Sequence, residues 1–467
     1  MTLVQLIFLC LSLRFIVLYV YERWANMRAP LVGLFIPWLG CAPFYLIAPL
    51  QLLKYCKYTC GEAFTLYIAG RYINVRLSAG FERYFYHAPE SQLSFVAAAQ
   101  DFFGPTLGRN AFDPNQVKAF SKLRHKLLGN PIIHAGKMSE VVDDFLDDLI
   151  QQLGEKRLIF IHEHLPRLVS KINVSCLVGK ELGEDDSLVS NFKIVEDGIN
   201  STSSLPPFLT SILLVPAKVA FTSFQKSVLK ALHNRSSTNA TKNSTDTDLL
   251  SLIQTIHSAD EEAVIAARIF SVLYAGGTTG KMVAQVMTLL FQHPTALQKV
   301  REEIFYGSDK SDKIDLNNLL KNTPYFSLCI EEALRLKTGI LSIRKATSLI
   351  TWENYRIYPG ELVSISPYYS HHAQQNFREP QVFFPERNCS VKNVRSTKAR
   401  NHGWGGGRHV CAGRLFAIYS AKIIISKFFQ RFKGLQLHNG SRGRGGDDFA
   451  VPGIALCKPR LVFQQAK

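Results

Sequence analysis

A disulfide framework is the first thing this chain lacks. Its nine cysteines are scattered through 467 residues and odd in number, so nothing here staples a small secreted domain, and the usage fits a reducing compartment. Cys56 and Cys60 lie close together, but no second pair occurs at the spacing a zinc site needs. Acidic residues are scarce as well, 37 against 54 basic ones, for a formal charge of +17. A surplus of that size suits nucleic acid, an anionic membrane surface or an acidic protein. No nucleic-acid-binding motif accompanies it, which leaves the membrane and the acidic partner. Internal repeats are absent too. The apolar N-terminus has no small-residue cleavage site, and its charges come after the apolar run instead of preceding it, which argues against a secretory signal peptide. Apolar side chains, by contrast, make up 47% of the chain and charged ones 19%, enough to bury a large core.

Leu3 to Val20 is almost wholly apolar, broken once by Arg14, and is at the short end for a membrane-spanning helix. With Arg23 and Arg28 behind it, the positive-inside rule keeps the rest of the chain on the cytosolic side. This pattern predicts an uncleaved single-span anchor, with an interfacial helix as the lesser alternative. Ala29 to Gly40, with Pro30 and Pro37, stiffens and turns the chain as it leaves the membrane. Residues 41–53 stay apolar but are crossed by Pro43 and Pro49, which predicts a membrane-contacting segment, not a second span. Phe64 to Val75 reads as two strands around a turn at Gly70. Helical periodicity then dominates to about residue 300, clearest in 139–152 and 261–274. Residues 234–248 form a polar linker in which Asn234, Asn239 and Asn243 match glycosylation sequons, which a cytosolic domain would never present to that machinery. Strand patterning returns at 340–366, and 439–448 is a glycine-rich, charged loop.

The stretch with the most chemistry is Trp404-Gly-Gly-Gly-Arg-His-Val-Cys411-Ala-Gly413-Arg414. Three consecutive glycines, Gly405 to Gly407, let the backbone turn tightly and approach another object closely. The cysteine after them opens a helical pattern, and a helix N-terminus among basic side chains favours the thiolate, the form that ligates metals. Upstream, Glu332-Ala-Leu-Arg335 puts a carboxylate and a guanidinium on one helix face, and Phe384-Pro385-Glu386-Arg387 stands about fifty residues on. Ala275-Gly276-Gly277-Thr278-Thr279 interrupts a long apolar helix, where mid-helix glycines each cost about 1 kcal/mol relative to alanine and so need a reason.

In order and spacing these motifs resemble the cytochrome P450 family. The proline hinge is closest to its sterol, oxysterol and prostanoid branches. The resemblance implies a mainly helical fold with a smaller β portion, preceded by a single N-terminal membrane helix. Residues 1–22 would be the anchor, 23–60 the hinge and membrane-contacting segment, and 61–467 one haem-thiolate catalytic domain. It implies Cys411 as the axial haem ligand. Glu332, Arg335 and Arg387 would form a buried triad bracing the haem loop, whose cradle would be Trp404, Gly405, Gly407 and Gly413. The haem propionates would meet Arg124 (in a Phe120-x-x-x-Arg124 pattern), Arg344, Arg408 and His409. Thr279 would hold the oxygen-side proton relay, with Thr278 where the family usually has an acid. The substrate pocket would draw on Leu273, Ala275, Gly276, Ile340, Leu341, Ile343, Val451 and Ile454, all apolar or small, so the substrate should be lipophilic.

By the same resemblance the protein is a monooxygenase of the endoplasmic reticulum membrane, with a cytosolic catalytic domain. One oxygen atom would enter a sterol-, terpenoid- or polyketide-like substrate. Electrons would come from NADPH through cytochrome P450 reductase, with cytochrome b5 as a further donor. The reductase would dock on a basic face that includes Lys118, Lys122, Lys126, Lys392, Arg395, Lys398 and Arg400. Two alternatives stay open: a thiolate-haem isomerase of peroxides, which needs neither reductase nor Thr279, and a membrane haem-binding protein without turnover.

Overall fold

The structure is a computed structural model. It describes residues 27–33, 39–108, 127–153, 158–202, 207–237, 248–250, 262–306, 314–337, 341–390 and 401–432. A few single residues between these, and residues 436–437 and 462–464, are described as well. Its strands come from widely separated parts of the chain. The alternation around Gly70 forms a hairpin of β2 (Ala63–Ile68) and β3 (Arg71–Arg76), turning at Ala69 and Gly70, both with positive φ. β1 (Leu31–Val32) adds to one edge in parallel. On the other side β3 takes β9 (Leu362–Ile365) in parallel, then β6 (Ser342–Ala346) and β4 (Leu93–Ser94) antiparallel. A hairpin of β7 (Ile350–Trp352) and β8 (Tyr355–Ile357) stands alone, and β5 (Leu158–Phe160) pairs with β11 (Val462–Gln464), itself paired with β10 (Gln436–Leu437).

Where β3 meets β9, a buried polar chain fixes the register. Thr65 Oγ1 donates to Asn74 Oδ1 at 3.1 Å, and Asn74 Nδ2 donates to Glu361 Oε2 at 3.0 Å and to the Leu362 carbonyl at 3.2 Å. Glu361 also pairs with Arg28, whose guanidinium lies over the rings of Tyr72 and Tyr358 at 4.4 and 4.9 Å. Arg28 is therefore buried. The sequence pattern counts it among the cations flanking the anchor, whereas the fold uses its charge within the sheet.

Most of the remaining described chain is helix, and the main core lies among its helices. Through it runs a split helix, Glu262–Gly276 and Thr278–Gln292, parted at Gly277. Gly280 brings that helix close to Ile161–Leu177, since a Cβ there would lie 3.4 Å from the Leu165 carbonyl group. Against it pack the Glu332 helix (Pro324–Lys337) and the cysteine helix (Arg414–Arg431). The latter is apolar on nearly every side, with Ala421, Ile423, Ile424, Ile425 and Phe428 fully buried, as a core helix must be. Its one buried cation, Lys422, donates to the carbonyls of Leu319, Leu320 and Thr323, satisfying the end of the helix Leu316–Lys321. Burial lowers its pKa to about 8.

The apolar segment after residue 40 forms two short helices, Ala42–Ile47 and Pro49–Cys60, each with proline in its first turn. One face (Tyr45, Leu50, Leu53, Cys56) packs on the six-stranded sheet, while Phe44, Ile47, Tyr55 and Tyr58 are exposed. Among the described residues no helix is long and apolar enough to cross a membrane. Of the run Leu3–Val20 only Cys10, Leu13, Ile16, Val17 and Val20 are described, as exposed helical residues. Arg14 and the rest of the run, residues 118–126, 391–400 and 438–461, and Asn239 and Asn243, lie outside the described residues.

Candidate functional site

The Glu332 helix carries two carboxylates in succession, and they serve different loops. Glu332, fully buried, accepts Arg335 Nε and Nη2 at 2.9 Å, Arg387 Nε at 2.8 Å and the Phe384 N–H at 3.1 Å. Arg335, equally buried, donates through Nη1 to the carbonyls of His371 and Pro380 at 2.8 Å and through Nη2 to that of Val382 at 3.4 Å. Arg387 reaches the carbonyls of Arg378, Glu379 and Val382. Two planar guanidinium groups thus tie three chain segments to one carboxylate, a geometry lysine cannot reproduce.

Two residues that the sequence motifs do not single out join this knot to the cysteine loop. His371, fully buried, contacts the Arg335 carbonyl through Nδ1 at 3.1 Å and accepts the His402 N–H at Nε2, 2.8 Å. A carbonyl only accepts, so Nδ1 carries the hydrogen and the ring is neutral. Burial, together with the charges of His402, Arg335 and His372, holds its pKa well below the ordinary histidine value. Glu331 accepts the Trp404 indole N–H at 3.0 Å and Arg414 Nη2 at 2.7 Å. The only sequence signal for either was adjacency: Glu331 to the Glu-x-x-Arg pattern, His371 to a second histidine.

The loop itself turns where only glycine turns easily. Gly405 and Gly407 have φ of +75° and +61°, and a Cβ on Gly407 would fall 1.9 Å from the Tyr86 carbonyl oxygen. A Cβ on Gly406 would meet the Tyr86 ring at 2.8 Å. Tyr86, at the end of the helix Ala79–His87, is thus the floor of the loop, and its ring stacks on His402 at 4.4 Å. The Cys411 N–H donates to the Trp404 carbonyl at 2.8 Å, and the helix begins at Arg414 with Gly413 as its cap. Cys411 is exposed, whereas Cys41, Cys56, Cys176 and Cys329 are buried. Burial pushes the thiols of Cys41 and Cys56 up to about 12, which makes them inert.

Several elements carry the other predicted residues. Arg408 is exposed. His409 pairs with Glu90 through Nε2 at 2.5 Å. Burial would raise the Glu90 pKa, but hydrogen bonds from His409 and Ser94 and the His409 charge bring it down to about 2. Arg344 is buried on β6, with its guanidinium over the Phe85 ring and donating to the Phe85 carbonyl. On the split helix, Thr278 Oγ1 donates back to the Ala275 carbonyl at 3.1 Å, and Thr279 is buried. Ala275 is exposed, but Leu273 is sealed in the core, and the open side of Gly276 faces Asn173, whose Nδ2 would lie 2.4 Å from a Cβ there. Leu341 is buried and Ile343 half-buried beside the six-stranded sheet. Arg124, Ile340, Val451 and Ile454 lie outside the described residues.

An exposed sulphur at the head of an apolar helix, on a loop whose turns exclude a Cβ, fits a thiolate ligand for a haem. Nearby, Arg408 and Arg344 suit the carboxylates such a group carries. The cytochrome P450 family model matches residues 30–443. The chain belongs to the cytochrome P450 family. A sterol 14α-demethylase of Mycobacterium tuberculosis is 24% identical over 407 residues, covering 82% of this P450 and 87% of the relative. The 24-hydroxycholesterol 7α-hydroxylase of Mus musculus is 23% identical over 435 residues, 88% and 87% of the two chains. The lanosterol 14α-demethylase of Candida tropicalis is 24% identical over 448 residues, 87% and 84%. Among solved structures, retinoic acid bound cyanobacterial CYP120A1 superposes with a TM-score of 0.73 at 19% identity, covering 94% of this P450 and 98% of that chain. Family and fold together make this P450 a haem-thiolate monooxygenase.

Proposed function

We propose that this P450 inserts one oxygen atom into a sterol-like lipid at a membrane surface, with electrons from NADPH delivered by a flavoprotein reductase. The observation that carries the reading is Cys411, exposed at the head of the cysteine helix on a loop whose turns only glycine fits. When bound, the haem supplies the activation of dioxygen, one atom of which enters the substrate while the other leaves as water. The remaining tasks belong to the protein. Cys411 holds the iron as a thiolate. Arg344 and Arg408 offer cations to the propionates, and His409, paired with Glu90, braces the loop between them. Thr279, buried on the split helix, would hold a water on the oxygen side. Thr278, turned back onto the Ala275 carbonyl, cannot donate a proton at neutral pH, so the proton must arrive through water or from the substrate. The sterol enzymes among the relatives support a sterol-like substrate.

The membrane part of the reading is supported by two apolar surfaces. One is Phe44, Ile47, Tyr55 and Tyr58; the other is Ile212, Leu213, Val215 and Val219. With the apolar N-terminus they suit a single-span anchor in the endoplasmic reticulum and a cytosolic catalytic domain resting on the bilayer. The basic surplus suits a reductase with an acidic docking face, or cytochrome b5. The test is the spectrum of the reduced, carbon-monoxide-bound protein. Wild type should show the strongly red-shifted thiolate Soret band, and Cys411→Ala should lose it while Cys329→Ala keeps it. A thiolate band in Cys411→Ala would overturn the assignment. Turnover with reductase and NADPH should then require dioxygen; conversion of a peroxide with no reductase would instead favour the isomerase.

A further inference from the structure

Neighbouring residues on a helix point about 100° apart, so Glu331 leaves the Glu332 helix in a different direction from the triad. Its carboxylate accepts the Trp404 Nε1–H at 3.0 Å on both oxygens, Arg414 Nη2 at 2.7 Å and Asn401 Nδ2 at 3.4 Å. Its backbone carbonyl accepts Asn401 Nδ2 at 2.9 Å, and Asn401 Oδ1 in turn accepts the Gly403 N–H at 2.9 Å. Trp404 and Arg414 are the two feet of the loop that carries Cys411, and the carbonyl of Trp404 accepts the Cys411 N–H. We propose that Glu331 is a positioning residue that clamps both feet of the cysteine loop and so fixes the Cys411 sulphur for haem ligation, with Trp404 supplying the indole N–H the clamp requires. The proposal rests on the haem-thiolate reading of Cys411.

The chemistry of the partners explains why these residue types serve. A carboxylate is acceptor-only and takes donors on both oxygens, whereas a glutamine has one accepting oxygen and an NH2 that would face those donors. Glu331 is only 16% exposed, so its bonds are shielded from competing water. Arg414 is 49% exposed, and an ion pair that open adds little by itself. The stronger foot is Trp404, half-buried and bonded to both carboxylate oxygens. Phenylalanine there would keep the ring packing and lose the donor. Groups that orient a metal ligand without touching the metal commonly change retention of the metal about 10–100-fold when removed.

The experiment uses the full-length, haem-loaded protein and two rates. One is conversion of the thiolate-type carbon monoxide spectrum to the thiol-type band at a fixed, mild temperature. The other is transfer of ferric haem to excess apomyoglobin. Glu331→Ala should speed both about 10–100-fold, and Trp404→Phe about 10-fold. Adding Trp404→Phe to Glu331→Ala should add nothing, because the two act through one bond. Far-UV melting should change little, which separates a clamp from a general fault in folding. Rates within about twofold of wild type in Trp404→Phe, or rate effects of the two substitutions that multiply as independent sites do, would overturn the clamp. If Glu331→Ala takes up no haem, Trp404→Phe and Glu331→Gln decide by the same criteria. The wild-type band tests the reading beneath: its absence sinks both, whereas a normal band with indifferent variants sinks the clamp alone.

Discussion

Replacing Glu332 by alanine is the most severe test of how the site is held. The carboxylate has no solvent exposure and accepts four hydrogen bonds, three of them from guanidinium nitrogens. Without it, Arg335 keeps three carbonyl partners but has lost its counter-charge in a place water does not reach. Uncovering a buried charge in this way costs about 3–5 kcal/mol, against a total stability of about 5–15 kcal/mol for a typical domain. Glu332→Gln should fare little better, because its amide NH2 must face donors. Arg387→Ala should cost less: that side chain is 10% exposed, and its loss leaves the Glu332–Arg335 pair intact. The assay is haem content per protein by haemochrome, with thermal melting by far-UV dichroism. Glu332→Ala should yield little haem-loaded protein, and Arg387→Ala an intermediate amount. Wild-type haem content and melting in Glu332→Ala would refute the reasoning and reduce the knot to an ion pair of no consequence.

Three further outcomes are expected. Thr279→Ala should keep the thiolate spectrum but divert NADPH consumption with the true substrate toward hydrogen peroxide, and Thr278→Ala should do so markedly less; unchanged coupling in Thr279→Ala would place the relay elsewhere. His371 is neutral in the fold and its folded pKa is depressed, so below the unfolded value of 6.5 the unfolded chain binds a proton that the native one refuses. Its contribution is therefore complete above pH 6.5 and falls by about 1.4 kcal/mol per pH unit below it, and His371→Asn should melt with a shallower pH dependence between 6.5 and 5; identical slopes would count against a neutral His371. Removing residues 1–22, which spares the buried Arg28–Glu361 pair, should release much of the protein from membranes, incompletely because the exposed Phe44–Tyr58 surface remains, whereas glycosylation of Asn234 in cells would put the catalytic domain in the lumen.

Spacing made part of this protein legible. Glu332 and Arg335 lie three apart on one helix, the glycines precede Cys411 by a short, fixed interval, and Gly70 parts two alternating runs. Each is a local pattern, set by helix and strand geometry within a few residues. The split at Gly277 was visible for the same reason, since glycine weakens a helix wherever it stands. Apart from Arg387, which the family resemblance set beside Glu332, contacts between segments were not legible. No local pattern tells that Glu331 turns toward Trp404 and Arg414, that His371 bridges the Arg335 carbonyl to the His402 N–H, or that the backbone of Tyr86 forbids a side chain at Gly407. Nor does it tell that Arg28 enters the sheet to meet Glu361. Those pairings join residues from about 30 to more than 300 positions apart. They depend on how the helices and the six-stranded sheet pack, which decides the partner a polar group finds once it is buried. The sequence by itself determined the family and the local elements that carry its motifs; the tertiary structure alone decided which side chains meet around the Cys411 loop, because a buried donor or acceptor must be matched by whatever the packing brings within 3 Å.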